Sequence, residues 1–454
     1  MKNAHIEKNK KETGGKYSKG LKNIENMITA VLFAAVFCVF LLASLILPDR
    51  EFSENENRYL AKLPTLKAAA VADGSFSADF ELYAQDSLAG RDALMMLKTA
   101  GDRALGRKDN GSVYFGKNGY LFAIEKVDSV QLEKNIGYME KFCAAAEENG
   151  INVNVIVTPT ATEILADRLP QNAPVPDQSE AIGKIKERLG DHFIDVTENL
   201  LAHSDEYIFY KTDHHWTTLG AYYAYRQYAD YCDISDQKTG ASANGGSSSC
   251  DDAFAYEAPA DAGYTETIVS ANFLGTNYSK APGINIKPDT ITRMEKSVAD
   301  SSANAENGAG NGNIRMSILS ANLECEKTFD SVYDESYLDK KDKYSYFLSG
   351  NNPVTFIETE RDASENGGVN MQAAEDSNAY GKGGRRNLLV VKDSYAHAFI
   401  PFLTSDFDTI TAVDMRYYRS SLSGIIAEYE ITDILVLYNV LNFASDSNLI
   451  YLAR

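Results

Sequence analysis

The chain has 454 residues, 44% of them hydrophobic and 24% charged, a globular balance with room for a large core. A formal net charge of −20 excludes nucleic acid or an anionic membrane surface as the main partner. The five cysteines form no CxxC or Cys/His zinc spacing, so no metal and no other cofactor is expected.

Residues 1–26 form a basic tail with seven lysines against three glutamates. Residues 27–47 then carry no charge, and Thr29 and Ser44 are their only polar side chains. Twenty-one residues span about 31 Å as a helix, the thickness of a hydrocarbon core. The run is longer than a signal-peptide core, and Leu45-Ile-Leu-Pro48 lacks a small-residue cleavage site. An uncleaved single-pass signal anchor in the cell membrane is therefore expected. The lysine-rich flank puts the N-terminus in the cytoplasm and the bulk of the chain outside.

Residues 48–129 read as a polar juxtamembrane linker, a helical stretch from about Phe76 to Leu105, and a small hairpin turning at Lys117-Asn118-Gly119. From 130 to 454 the pattern is that of one α/β domain. A helix over Leu132–Asn149 precedes a buried strand at Val153–Pro159. A helix over Ser179–Leu189, short strands at His192–Val196 and Tyr207–Tyr210, and a helix over Leu219–Tyr231 capped by Thr217 or Thr218 follow. Residues 237–384 read as an insert. Its low-complexity stretches 237–249, 299–313 and 362–384 surround strand-like runs at Ile314–Leu319 and Tyr344–Leu348. One disulfide, Cys232 to Cys250, is compatible with the first of these loops. Apolar strands at Leu388–Lys392, Thr409–Val413 and Asp433–Tyr438 alternate with short helices at Tyr395–Leu403 and Ser421–Tyr429. That alternation predicts a parallel sheet with helices on both faces, with the β-rich insert folded outside it.

The segment Thr212-Asp213-His214-His215-Trp216-Thr217 holds two of the six histidines and the only tryptophan. Asp213 and His215, spaced as Asp-x-His, suit a carboxylate that orients an imidazole base; His214 stays open as an alternative base. Ser394, at the end of the Leu388–Lys392 strand, is the candidate nucleophile. Working sites of open α/β sheets lie at such strand ends, and a helix starting there would aim N–H groups at an oxyanion. Asp393-Ser394 also suits an ordinary helix cap. Asn439, after the last apolar strand, is a candidate oxyanion donor. Gly275 and Asn277 are weaker candidates for that role. Tyr210, Trp216 and Tyr395 adjoin these residues and are candidates to line the substrate site; His397 lies one turn beyond the serine. Arg385, Arg386, Arg416 and Arg419 are candidates for a basic groove, or for solvated surface.

The motif Asp213-His-His-Trp216 stands with Ser53-Glu-Asn-Glu-Asn-Arg58, Asp414-Met-Arg-Tyr-Tyr418 and Val436-Leu-Tyr-Asn-Val440. Together they resemble the DHHW family, which is similar to alginate O-acetyltransferase proteins with an SGNH-hydrolase-like domain. The resemblance implies an SGNH-like, flavodoxin-like α/β fold in circularly permuted order, with Ser394 as nucleophile, His215 as base and Asp213 as its partner. Lys392 stands where the related pattern has glycine. The expected function is O-acetyl transfer to an exopolysaccharide or cell-envelope polysaccharide through an acyl-serine. Because acetyl-CoA is absent outside a cell, a membrane-bound O-acyltransferase is the expected acyl donor. An extracellular acetyl esterase and a non-catalytic carbohydrate-binding or assembly protein are the alternatives.

Overall fold

A computed structural model describes residues 2–53, 58–232, 263–296, 314–359 and 385–454. The three low-complexity stretches, Cys250 with its expected bridge, and residues 54–57 of the Ser53–Arg58 motif lie outside the described residues. The chain divides into two compact units, Met1–Gly101 and Asp102–Arg454.

The first unit contains the helix Lys2–Ile46, whose part Ile24–Ile46 is long and apolar enough to cross a membrane. The helical stretch expected over 76–105 is two helices, Ser75–Asp86 and Arg91–Ala104. Gly90, at φ +68°, takes the left-handed conformation that breaks them.

The second unit is built on a seven-stranded sheet. Its order is Asn152–Thr158, Asp433–Asn439, Asn387–Lys392, Thr409–Val413, Val354–Thr359, Ile314–Leu319 and Cys325–Phe329. The first four run parallel, and the last three pair antiparallel. The sheet is therefore mixed rather than parallel. The insert is also not outside it: three of its segments extend the sheet through ladders such as Phe356↔Thr411 and Phe356↔Ser317. Strand alternation drives this. Met316, Ile318 and Ile357 point into the same core as Leu388, Val390 and Leu435, so these segments bury an apolar face only by joining the sheet.

Helices cover both faces. One core gathers Leu388, Val390 and Leu437 with Thr218–Tyr231. The other gathers Leu389, Val391 and Val436 with Ser129–Glu148 and Gln178–Leu189. The strand expected at His192–Val196 is only a bridge from Phe193 to Val155, and that at Tyr207–Tyr210 only a bridge from Phe209 to Trp216. Tyr344–Leu348 is not a strand; Lys343–Tyr346 forms a 3-10 turn. The hairpin Val113–Phe115 with Leu121–Ala123 turns at Asn118 and Gly119, both left-handed. A second hairpin, Tyr264–Phe273 with Asp289–Lys296, stands apart from the main sheet.

Candidate active site

The four parallel strands end at Thr158, Asn439, Lys392 and Val413, along one edge of the sheet. The residues beyond those ends form the site. Asp393 leads the turn after the serine strand and is fully buried. Its Oδ1 accepts from the Tyr395 N–H at 2.8 Å. Its Oδ2 accepts from the Asn439 N–H at 3.0 Å and from the amides of Asn439 at 2.7 Å and Asn442 at 2.8 Å. Burial pushes the Asp393 carboxyl up, which these donors oppose. The turn itself, Ser394–His397, is 3-10, and only a four-residue helix, Ile400–Leu403, follows. The expected helix dipole behind the serine is therefore missing.

Ser394 Oγ lies 2.7 Å from His215 Nε2. His215 Nδ1 lies 2.5 Å from Asp213 Oδ1, which also accepts the His215 backbone N–H at 3.0 Å. Asp213 Oδ2 accepts from the Thr276 N–H at 2.7 Å and its hydroxyl at 2.6 Å. Burial works against the Asp213 charge, yet the two histidines and Thr276 hold its carboxyl well below the usual range. His214 turns the other way. Its Nδ1 lies 3.1 Å from Thr276 Oγ1, and burial and His215 push it down to about 4. Of the two histidines, it is His215 that faces the serine.

Several residues that hold this geometry carried no signal in the sequence. Tyr344 stacks on His215 with ring centroids 3.8 Å apart, and its hydroxyl donates to the Ser394 carbonyl at 3.1 Å. Asp289, in the separate hairpin, accepts from the Lys211 and Thr212 N–H groups and the Thr212 hydroxyl. It thereby clamps the loop that leads into Asp213. Gly275 is a packing requirement: a Cβ there would lie 2.3 Å from the Asp213 carboxylate. The Asn277 amide donates to the Leu121 carbonyl at 2.8 Å, while its Oδ1 is buried without a partner among the described residues.

The other expected residues divide. Trp216 is fully buried, and its Nε1–H donates to the Tyr395 carbonyl at 2.9 Å, joining the histidine loop to the serine turn. The Tyr395 hydroxyl donates to the His214 carbonyl at 2.5 Å. Tyr210 belongs to the core. Its ring packs edge-on against Phe273 and Tyr344, and its N–H donates to the His215 carbonyl. Asn439 spends its side chain on Asp393 and on capping the helix Val440–Ser445, but it also lines a cavity of about 30 Å³ with Phe122, Thr160, Thr162, His214 and Tyr395. The arginines make no common groove. Arg416 chelates Asp414 beyond a strand's carboxyl end, whereas Arg386 pairs with Asp433 at a strand start.

Ligand atoms of Asp213, His214 and His215 lie within 4.8 Å of one another. The contacts to Thr276 and Ser394 already engage them, so the donors suit a proton relay better than a cation. A serine hydroxyl on an imidazole whose far nitrogen meets a carboxylate can deliver a nucleophile at neutral pH.

Residues 113–262 match the model of a family described as the SGNH hydrolase-like domain of the acetyltransferase AlgX. Among solved structures, the chain is similar to a DHHW family protein from Eubacterium siraeum DSM 15702, at 21% identity and a TM-score of 0.54, covering 75% of this chain and 97% of that one. Bacillus cereus PatB1 with a sulfonyl adduct is similar at 16% identity and a TM-score of 0.54, covering 75% of this chain and 100% of that one. A search of curated protein sequences gives no match.

Proposed function

We propose that the protein is a membrane-anchored, extracytoplasmic O-acetyltransferase that acts on a polysaccharide through an acyl-serine. The observation that carries this reading is the unbroken chain of contacts from Asp213 through His215 to Ser394 Oγ. The match to an acetyltransferase family model supports the acyl group and the reaction class. The Asp-x-His pair preceding the serine agrees with a circularly permuted SGNH order.

In the first half-reaction Ser394 Oγ attacks the acyl carbonyl as its proton passes to His215 Nε2. Asp213 holds the Nδ1–H and stabilises the imidazolium. The tetrahedral adduct collapses, His215 returns the proton to the leaving oxygen, and the acyl group remains on Ser394. In the second half a sugar hydroxyl gives its proton to His215 and attacks the acyl-serine, and Ser394 leaves with that proton restored. The Ser394 N–H and the second N–H of the Asn439 amide are our candidates for the oxyanion. Trp216 and Tyr395 lock the two loops, and Tyr210 supports them from the core.

The lysine-rich tail before Ile24–Ile46 favours a cytoplasmic N-terminus and an outward-facing site. A membrane-bound O-acyltransferase would then bring the acetyl group across.

Hydrolysis shares the first half-reaction and differs only in the acceptor. Purified full-length protein with a chromogenic acetyl ester and excess oligosaccharide separates the two outcomes by product analysis. We expect acetylated oligosaccharide, and a loss of roughly 10³-fold or more in Ser394→Ala. Wild-type turnover in that variant would sink the reading.

A further inference from the structure

Beneath the serine turn lies a second buried polar cluster that the relay does not use. Lys392 ends the serine strand, two residues before Ser394, and its side chain is 1% exposed. Its Nζ lies 2.8 Å from His397 Nε2. An ammonium only donates, so Nε2 accepts and the His397 proton sits on Nδ1. Among the described residues, that Nδ1 is buried without a partner. His397 is also the last residue of the single 3-10 turn that begins at Ser394.

The cluster is joined to the relay by stacked rings. His397 lies parallel to Tyr344 at 6.1 Å, and Tyr344 lies parallel to His215 at 3.8 Å. Tyr344 also holds the Ser394 carbonyl.

The charges around Lys392 are mostly engaged elsewhere. Asp414 Oδ2 is 3.8 Å from Nζ, but Arg416 grips both Asp414 oxygens. Asp393 is surrounded by Asn439, Asn442 and the Tyr395 N–H. Tyr438, on the adjoining strand, is buried and neutral. Among the described residues, His397 is the one group within hydrogen-bond distance of the ammonium. A buried cation so thinly satisfied is costly for the fold, and its field falls on the turn where an oxyanion would develop.

We propose that Lys392, acting through His397, is a positioning residue for Ser394 that holds the serine turn and its positive potential in the reactive state. This inference rests on the acyl-serine reading above. Burial lowers the Lys392 ammonium to about 8, with Asp414 opposing that shift and Arg416 adding to it. The charge is thus present at neutral pH and lost under mildly alkaline conditions.

The test measures inactivation of the full-length protein by a sulfonyl fluoride from pH 6 to 10, with mass spectrometry locating the adduct. The wild type should label at Ser394 with a rate that turns down above pH ~8. Lys392→Met should label at least ~10-fold more slowly at pH 7 and show no downturn. Lys392→Arg, whose charge persists, should keep the rate within ~3-fold and also lose the downturn. A wild-type rate without a downturn up to pH 10 overturns the inference, and needs no variant. So does a Lys392→Met profile that matches the wild type. Failure of the wild type to label at Ser394 removes both the acyl-serine reading and this one, whereas labelling with matched profiles removes this one alone.

Discussion

Asp213 accepts four hydrogen bonds, two from His215 and two from Thr276. A carboxylate so satisfied stays ionised despite burial and keeps the imidazole in one tautomer. Thr276→Val removes one donor and leaves the backbone N–H. We expect a roughly tenfold lower acylation rate with KM little changed, measured with a chromogenic acetyl ester. Gly275→Ala acts by contact instead. Its Cβ would meet the Asp213 carboxylate, so the acid must move and activity should fall at least ~10-fold while the fold survives. A circular-dichroism melt beside the kinetic assay separates the two effects. Thr276 carries no signal in the chain, and Gly275 reads there only as a weaker oxyanion candidate. Asp213 and His215 are legible because they stand only two positions apart, but Thr276 lies 63 positions from Asp213 and only the folded loop brings it there.

At the scale of elements, two loops from distant parts of the chain must be held in register. Trp216 does this with one bond, from its Nε1–H to the Tyr395 carbonyl across 179 positions. Trp216→Phe keeps most of the packing and deletes that bond. We expect a loss of about 1–2 kcal/mol in chemical denaturation, with slower acylation as the loops uncouple. Asp393 does the same for the serine turn and the end of Asp433–Asn439. Ser394 could be placed at a strand end because Leu388–Lys392 is an apolar run followed by Asp-Ser, a local pattern. The turn's 3-10 form and Asn439's attachment to Asp393 are not local. They depend on which strand lies beside it, and Asn439 faces Asp393 only because the two strands are parallel neighbours.

Across the whole second unit, the pH dependence follows from which groups the fold keeps neutral. His214 is lowered to about 4 and His397 well below its usual value, chiefly by burial. The native state therefore binds fewer protons than the unfolded chain, whose histidines titrate near ~6.5. Stability should be full above that pH and decline as pH falls below it. Asp213 shifts in the same direction at lower pH: its contribution is present above ~4 and lost as pH falls through its lowered native value. Melting temperature measured from pH 8 to 4 should drop progressively below ~6.5, and His397→Gln should flatten part of that slope.

The sequence by itself determined the apolar N-terminal helix, the four parallel strands and the Asp-x-His and strand-end serine motifs. Each rests on short-range periodicity or spacing, which chain geometry converts directly into local structure. Tertiary structure alone decided that the insert completes the sheet. Ile314–Leu319 and Val354–Thr359 alternate like any strand, and nothing local says which edge they meet. It also decided that Asp289 clamps the loop before Asp213, that Thr276 holds the Asp213 carboxylate and that Tyr344 stacks on His215. Those roles come from burying polar groups that must find partners, and the partners lie far away along the chain.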